Sequence, residues 1–351
     1  MIKYIGSKRL LVDPIVAAVR GFGPDVGRAV DLFSGTSRVG RALKRAGLHV
    51  TANDHLAFAA TLARCYVAAD ADRWRDEAAA LIDELNAVPA DGEGWFTKAF
   101  CHDARYLQPH NGARVEAVRR AIAGRDLPPP LEAIALTSLM EAADRVDSTT
   151  GLQMAYLKKW AKRSYNDLSL RVPALTPGPG AATRLEAVEA AATEADVAYL
   201  DPPYNQHSYL GNYHVWETLV RWDDPETYGV ANKRVDCKTY KNPFNSRVRI
   251  RDAFAAVVRA VAAPELVVSF SDEGFLSQDE LVSILSARGH VRVVSTKHGR
   301  YVGARIGIYN PAGEKVGKIS HTENRERMFV VSPDEARAEA SARACAEAIA
   351  T

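Results

Sequence analysis

The chain has few cysteines, and nothing in their spacing pairs them. Its 351 residues include four, Cys65, Cys101, Cys237 and Cys345, which lie far apart and form no Cys-x-x-Cys unit. Disulfide scaffolds and zinc sites are usually built from closely spaced or paired cysteines, so this spacing disfavours both. A reducing cytoplasm is therefore the expected setting.

Long hydrophobic runs and a strong net charge are also missing. No apolar stretch approaches the length that spans a bilayer, and the N-terminus has no signal-peptide core. A net charge of +2 argues against a strongly basic nucleic-acid coat protein, although a local basic groove is compatible with it. The hydrophobic content of 47% is ordinary for a soluble globular protein, and no internal repeat is visible.

The glycine signature of dinucleotide-binding proteins is incomplete. Residues 29–33 predict a strand, 34–37 a loop of small residues, and 39–46 a helix that ends at Gly47. This is the opening of a nucleotide-binding α/β unit, but its loop carries Gly35 without the full Gly-x-Gly-x-x-Gly. An NAD-dependent oxidoreductase is therefore disfavoured, whereas a loop with one glycine at the point of close approach suits an adenosyl-amino-acid ligand.

An acidic residue follows the second predicted strand. Residues 48–52 predict that strand, and Asn53 and Asp54 come before a helix that starts at about Leu56. An acid in this place binds ribose hydroxyls in Rossmann-like folds, so Asp54 is a candidate ribose ligand. Capping of the following helix is the competing role, and the two roles are compatible.

The most informative motif is Asp201-Pro202-Pro203-Tyr204. It follows the apolar, β-prone run 197–200, so it is expected at the carboxyl end of a strand, where open α/β sheets bind ligands. The prolines remove two backbone donors and end the strand. The Asp201 carboxylate and the Pro202 carbonyl are then acceptors beside the Tyr204 ring, which suits a planar group that carries an NH2.

The N-terminal segment offers a second aromatic residue and a lysine. Gly6 and Ser7 predict a turn before a helix, with Tyr4 and Lys8 on either side. A lysine here is able to neutralise a carboxylate, and a tyrosine is able to stack on a ligand. An ordinary helix start with a solvated lysine is the alternative.

These motifs resemble those of Dam-like DNA adenine-N6 methyltransferases. Asp-Pro-Pro-Tyr is similar to their catalytic motif, Tyr4 and Lys8 match a Tyr-x-Gly-x-Lys segment, and 31–35 resembles their S-adenosylmethionine (AdoMet) loop. The resemblance implies a Rossmann-like AdoMet-dependent methyltransferase sheet, AdoMet as methyl donor, and no metal. Ser37 stands where the family often has a second glycine. The family commonly has an Asp near position 186 that holds the adenine amine of the cofactor, and Glu186 is the candidate to replace it here. The implied cofactor contacts are Tyr4, Lys8, Asp31, Phe33, Ser34, Gly35, Asp54 and Asp201.

The same resemblance divides the chain. Residues 1–69 and 181–332 are expected to form the discontinuous catalytic domain, and 333–351 a helix or tail. Between them, 70–180 is expected to be a mainly helical target-recognition insertion, with helices near 74–85, 114–123 and 131–144. The closing strands are predicted at 266–270, 291–295 and 327–331, and the excursion 301–322 is a candidate duplex contact.

Several polar segments are candidates for contact with the substrate. One basic segment is interleaved with aromatics and suits phosphate and base contacts; its cations are Lys158, Lys159, Lys162, Arg163 and Arg171. A solvated helix face is the alternative interpretation of this segment. The segment 222–251 is rich in Lys and Arg and includes Lys233, Arg234, Lys238, Lys241, Arg247, Arg249 and Arg251. Beside the motif, Asn205 and Tyr209 are candidates to hold the target base, whereas the spacing of His207 and His214 disfavours a metal site.

The predicted function is site-specific methylation of a flipped adenine in double-stranded DNA, with Asp201, Pro202, Pro203 and Tyr204 as catalytic residues. A cognate restriction endonuclease is a candidate partner, and the expected location is the cytoplasm, at the nucleoid. Methylation of adenine in RNA is the nearest alternative. A non-catalytic DNA-binding module is the alternative of another class, and a protein glutamine methyltransferase usually has Asn in place of Asp201.

Overall fold

The computed structural model describes residues 1–299 and 323–351, and its strands are short except near the C-terminus. The predicted excursion at 301–322 lies outside the described residues. The strands are β1 (Arg28–Asp31), β2 (His49–Asn53), β3 (Gly180–Thr183), β4 (Val197–Leu200), β5 (Thr227–Tyr228), β6 (Lys233–Arg234), β7 (Glu265–Ser271), β8 (His290–Gly299) and β9 (Glu323–Ser332).

Seven of these strands form one sheet in the order β3-β2-β1-β4-β7-β9-β8. The first five are parallel, and β9 is antiparallel to both of its neighbours. The strand order reverses between β1 and β4, and ligands of open α/β sheets bind at the carboxyl edge of such a switch point. The predicted Rossmann-like methyltransferase sheet is thus confirmed.

The helices fall into an N-terminal pair, a central group and a C-terminal group. Those of the described residues are α1 (Val12–Gly21), α2 (Arg38–Arg45), α3 (Ala57–Ala63), α4 (Ala71–Ala87), α5 (Trp95–Thr97), α6 (Pro109–Ala123), α7 (Pro129–Val146), α8 (Ala187–Ala190), α9 (Tyr209–Asn212), α10 (His214–Arg221), α11 (Asp236–Thr239), α12 (Ile250–Ala260), α13 (Gln278–Leu285) and α14 (Glu335–Ala350).

Alternating residues of the central strands supply the cores on the two faces of the sheet. Ala29 of β1 and Val267 of β7 pack with α1, α2 and α14. Their neighbours Val30 and Val268 pack with α12 and α13. Every residue of β7 is buried, as expected for a strand covered on both faces.

A third core joins the central helices to the rest of the protein. Leu85 of α4, Ile122 of α6 and Leu139 of α7 are buried in one cluster with Leu62 of α3 and Trp216 of α10. The three helices predicted in this region are present, and each is longer than predicted. The central region therefore packs directly on helices that flank the catalytic motifs.

The edge strand β3 was not predicted. Residues 180–183 are small and show no apolar alternation, so the sequence carries no signal for a strand there. In the structure they pair with β2 along their whole length. A Cβ at position 180 would lie 2.4 Å from the Val67 carbonyl oxygen, so the glycine permits a close approach and does not mark a loop.

The C-terminal segment is a helix rather than a tail. Helix α14 packs along α1, and the Ser341 hydroxyl donates a hydrogen bond to the Ala18 carbonyl over 2.6 Å. This contact brings α1 and α14 together on one face of the sheet. Among the residues described, none of the helices has both the length and the apolar character needed to cross a bilayer.

Candidate active site

The carboxyl ends of β1, β2 and β4 open into one cleft of about 1050 Å³, open solvent included. Asp31 ends β1, Asp54 follows β2, and Asp201 follows β4. All eight predicted cofactor residues line this cleft, together with Pro203 and Tyr209: they are Tyr4, Lys8, Asp31, Phe33, Ser34, Gly35, Asp54 and Asp201. Four separated stretches of the sequence therefore meet at the switch point.

Asp201 is held by a buried ion pair. Its Oδ1 lies 2.9 Å from the Lys8 Nζ, and the two side chains are 18% and 5% exposed. Burial raises the pKa of Asp201 to about 6, and Lys8 limits the rise. Burial lowers the pKa of Lys8, but Asp201 and Glu326 outweigh it and raise that pKa well above its ordinary value. At neutral pH the pair is therefore charged.

Tyr204 of the motif packs between Phe270 and the Lys8 ammonium. The Tyr204 ring centroid is 5.4 Å from that of Phe270, and the Lys8 ammonium lies 5.8 Å from the Tyr204 ring. The Tyr204 carbonyl accepts a hydrogen bond from the Phe275 N–H over 2.8 Å. Burial raises the pKa of Tyr204 to about 12, so its hydroxyl stays neutral. Pro202 is buried, and Pro203 lines the cleft.

The loop after β1 is tight enough to require its glycine. Gly35 has a φ of +52°, and a Cβ there would lie 3.2 Å from the Tyr4 ring. Ser37 adopts a left-handed φ of 59°, the conformation that a glycine would reach without strain. Its N–H donates to the Ser34 carbonyl over 2.6 Å, and the two hydroxyls are 3.0 Å apart. Serine thus replaces the family's second glycine while the loop keeps its turn.

Asp31 has one unsatisfied oxygen directed into this region. Its Oδ2 accepts from the Gly40 N–H over 3.1 Å, whereas Oδ1 is buried and has no hydrogen-bond partner among the described residues. Burial raises the pKa of Asp31 to about 7. An unpaired buried carboxylate oxygen is costly, so its position in the cleft favours a ligand that donates to it.

Asp54 is engaged by the backbone. Its Oδ2 accepts from the Gly35 N–H and its Oδ1 from the Leu56 N–H, each over 2.9 Å. The carboxylate therefore joins the glycine loop to Leu56, the residue before α3. The predicted helix-capping alternative is wrong, because Leu56 is the N-cap of α3 and the Ala57 and Phe58 N–H groups donate to Glu217 instead. Burial raises the pKa of Asp54 against these two bonds. Each oxygen retains a lone pair, so a ribose role stays a prediction.

Tyr4 and Tyr209 belong to one stack. The Tyr4 ring lies nearly parallel to Tyr209, with centroids 5.1 Å apart, and to Tyr213 at 4.7 Å. The Tyr213 hydroxyl accepts from the Ile5 N–H over 2.6 Å, which fixes the N-terminal segment against α9 and α10. Tyr209 therefore lies beside Tyr4 in the cleft wall, and its predicted contact with the target base is untested.

Residues 4–284 match the family of D12 class N6 adenine-specific DNA methyltransferases. The chain belongs to this family. Modification methylase StsI of Streptococcus sanguinis is 28% identical over 325 residues, which are 85% of this chain and 48% of that protein. Type II methyltransferase M.FokI of Planomicrobium okeanokoites is 28% identical over 311 residues, 82% of this chain and 47% of its own. The chain thus spans about half the length of these two relatives.

A third relative is close to this chain in length. Type II methyltransferase M.NlaIII of Neisseria lactamica is 28% identical over 313 residues, which are 85% of this chain and 92% of that protein. Membership of the D12 class confirms the predicted family, and methyltransferases of this kind use AdoMet as methyl donor. The comparisons do not test which residues bind it.

Part of the basic segment 222–251 forms one side of the cleft at the ends of β1, β2 and β4. Tyr240 and Phe244 line it, and Tyr240 stacks on His55 with ring centroids 4.7 Å apart. Phe244 makes an edge contact with Phe33 of the loop after β1, with ring centroids 5.3 Å apart. The Lys and Arg content of 222–251 predicts contact with the substrate, and the structure adds that two aromatics of this segment pack inward.

The cations of this segment divide into structural and exposed ones. Arg234 was predicted to bind phosphate, but it is 2% exposed and pairs with Asp223 at 2.6 Å and Asp236 at 3.0 Å. Its role is therefore to hold the β5–β6 hairpin against α10. Lys238 and Lys241 are exposed, as their predicted role requires, and the Lys238 ammonium lies 3.9 Å from the Tyr228 ring centroid.

The basic and aromatic residues near 156–171 show the same division. Arg163 pairs with the buried Asp147 and donates to the Thr149 carbonyl, so it is structural. Lys159 and Lys162 are exposed. Arg105, which was not predicted, lies 4.7 Å from the Trp160 ring and adds a cation to this surface.

The remaining polar candidates have local partners. The Asn205 side chain accepts from the His207 N–H over 3.1 Å. Glu186 pairs with His55 at 2.9 Å and lines the cleft, so its contact with the cofactor's adenine stays a prediction. His214 is buried with its Nε2 2.9 Å from the Gln153 carbonyl, and burial lowers its pKa to about 3. Within residues 1–299 and 323–351, no cluster of His, Cys, Asp or Glu is able to hold a metal ion.

One charged residue of the site was missed altogether. Glu326 of β9 lies 3.8 Å from the Lys8 ammonium. The sequence analysis assigns residues 327–331 to a strand and gives no role to the residue before it. An acidic residue at the start of a strand is common and carries no signal of its own. Glu326 is also far from Lys8 and Asp201 in sequence, so the contact is not predictable from local pattern.

Proposed function

We propose that this protein transfers a methyl group from AdoMet to the N6 amine of adenine at specific sites in double-stranded DNA. The observation that carries the proposal is the buried Asp201 carboxylate at the switch point, held by Lys8 over 2.9 Å, in a chain of the D12 class. The proposed reaction requires an acceptor for an aromatic amine, and Asp201, which lines the cleft, supplies one.

The residues of the cleft fit AdoMet. The unpaired Asp31 Oδ1 suits a cationic amine, and Gly35 permits close approach of a ligand to the loop. Phe33, Tyr240 and Phe244 offer flat apolar surface for a purine, and Asp54 lies where the fold places a ribose. When bound, AdoMet supplies an electrophilic methyl group on a positively charged sulfur.

Asp201 and the Pro202 carbonyl then act on the adenine amine. By accepting hydrogen bonds from its two N–H groups, they favour a tetrahedral nitrogen whose lone pair is directed away from the ring. The carboxylate also stabilises the positive charge that forms on the nitrogen, because it is fixed in a poorly solvated site before the reaction begins. Tyr204 holds the ring of the base by stacking, and orientation accounts for much of the rate.

The base must leave the duplex to reach this site. Its amine is paired and stacked in DNA, so adenine is expected to flip into the cleft beside Tyr204. Asn205 and Tyr209 are the residues proposed to contact it. Exposed Lys238 and Lys241 are placed to contact phosphates. The central region 70–180 is proposed to read the target sequence, with Lys159, Lys162 and Arg105 as backbone contacts.

The proposed setting is a bacterial-type modification system. The names of StsI, M.FokI and M.NlaIII describe modification or type II methylases, which supports a role beside a cognate endonuclease. Such an enzyme would act in the cytoplasm, where the DNA lies.

The test is transfer of labelled methyl from AdoMet to DNA that lacks adenine methylation. Nucleoside analysis of the product should show N6-methyladenine in DNA and none in matched RNA, and sequencing of modified sites should give one recognition sequence. Label in RNA alone would contradict the DNA assignment. Bound AdoMet without transfer to either polymer would contradict the proposed reaction.

A further inference from the structure

A second carboxylate lies beside the Lys8–Asp201 pair. Glu326 Oε2 is 3.8 Å from the Lys8 Nζ, and the Glu326 side chain is 14% exposed. This oxygen is buried and accepts no hydrogen bond from the described residues. Buried charges are usually paired, and the charged partner of Glu326 here is Lys8, which Asp201 already engages.

The topology of the sheet places this residue at the site. β9 is antiparallel to β7, so β9 begins at the edge where β7 ends, and Glu326 pairs in register with Ser271, the last residue of β7. This is the edge at which β4 delivers Asp201. Glu326 lies beyond residues 4–284, the part of the chain that matches the D12 family.

Counting charges shows what the second carboxylate adds. Lys8 and Asp201 alone form a neutral pair, whereas Lys8, Asp201 and Glu326 together carry a net charge of −1. The adenine amine becomes positively charged as it is methylated, and electrostatic interactions are strong in a poorly solvated site. A neutral pair would stabilise that positive charge only weakly, whereas a cluster with a net negative charge stabilises it more strongly.

We propose that Glu326 is a positioning residue for methyl transfer: it holds the Lys8 ammonium between two carboxylates and gives the site its net negative charge. The inference rests on the proposed function. In that reaction the lone pair of adenine N6 forms the new N–C bond while the S–C bond breaks and its electron pair stays on sulfur. The cationic amine then loses one proton to water.

The pH dependence follows from the groups that face Asp201. Activity requires ionised Asp201, so it is present above the pKa of about 6 and is lost as the pH falls through that value. Burial is the largest cause of this raised pKa, and Glu326 adds to it, so loss of the Glu326 charge should lower the pKa. The charged and titratable neighbours are Lys8, Asp31, Tyr199, Tyr204, Tyr209 and Glu326, and burial keeps the tyrosines neutral.

The experiment compares Glu326→Gln and Glu326→Asp with the wild type in single turnovers at saturating AdoMet and DNA. The glutamine variant should be slower by about tenfold, less than the 10²–10³-fold typical of a direct contact. The acid limb of its pH–rate profile, where the rate falls as the pH is lowered, should move to lower pH. Its AdoMet affinity, measured by calorimetry, should be unchanged. The aspartate variant should recover most of the rate. Glu347→Gln, at an exposed residue of α14, is the charge-loss control and should match the wild type.

The outcomes separate this inference from the proposed function. An active wild type together with a glutamine variant of equal rate and unchanged acid limb would overturn the role of Glu326 alone. Equal losses in the two Glu326 variants without a shift of the acid limb would also overturn it, since packing would then explain the effect. A wild type that methylates no DNA would reject the proposed function and this inference with it.

Discussion

At the scale of single residues, Asp54 joins the loop after β1 to Leu56, the residue before α3. Its two oxygens accept from the Gly35 and Leu56 N–H groups, so the loop conformation depends on this one side chain. A ribose bound at Asp54 would share a carboxylate that is already oriented. The structural role is compatible with the proposed ligand-binding role.

We predict that Asp54→Ala weakens AdoMet binding by about tenfold or more, because a lost hydrogen bond to a charged group costs roughly 1.5–3 kcal/mol. Isothermal calorimetry with AdoMet measures the effect. Asp54→Asn keeps one acceptor oxygen and should fall between the wild type and the alanine variant. Equal affinity of the wild type and Asp54→Ala would remove both the loop role and the ribose role.

The sequence alone was sufficient to predict the residues that belong to motifs. Asp201, Asp54 and Gly35 each follow a strand in a pattern with a chemical reason, and they meet in one cleft. Glu326 and Tyr240 carry no such pattern. Their positions depend on the antiparallel pairing of β9 and on the inward packing of a cation-rich segment, which are tertiary effects.

At the scale of elements, the segment that follows α10 has two sides. Tyr240 and Phe244 face the cleft, whereas Lys238 and Lys241 face solvent. Arg234 anchors the segment through its two carboxylate partners. Contacts with DNA phosphates on the outer side would therefore be transmitted to residues that line the cleft.

Reversal of charge at Lys238 and Lys241 should weaken DNA binding and flatten its dependence on salt. Each phosphate that the variant no longer neutralises should reduce the slope of log affinity against log salt by about 0.9. Fluorescence anisotropy with a labelled duplex at several salt concentrations gives that slope. The matched control is Arg343→Glu at an exposed residue of α14. A slope that is the same in the double variant and the control would assign the lysines to solvated surface.

At the scale of the whole molecule, the two ends of the chain support the catalytic sheet together. Helix α1 follows the Lys8 segment, and α14 follows β9, which carries Glu326. Their close packing leaves no room at Gly21, where a Cβ would lie 2.6 Å from the Ser341 Cα. Composition predicted a helix or tail at 333–351, but helical packing of this kind has no local signal.

We predict that Gly21→Ala lowers the free energy of unfolding by roughly 1–3 kcal/mol, because the added methyl group forces the two helices apart. The expected sign is opposite to the gain of about 1 kcal/mol that alanine brings to an unobstructed helix. Urea denaturation measures the difference. Gly124→Ala is the control, since its Cβ would meet its nearest atom at 3.4 Å and should be tolerated. A stabilised Gly21→Ala protein would show that α1 and α14 do not pack this closely.

The most direct test of the central claim is the single-turnover rate of Asp201→Ala at saturating AdoMet and DNA, with thermal unfolding as the check on folding. We expect the variant to fold and its methyl transfer to fall by at least about 10³-fold, because the oriented acceptor of the adenine amine is gone. Asp201→Asn, which keeps one acceptor oxygen and loses the charge, should retain more activity than the alanine variant. A folded Asp201→Ala protein that methylates adenine at a rate near that of the wild type would contradict the account.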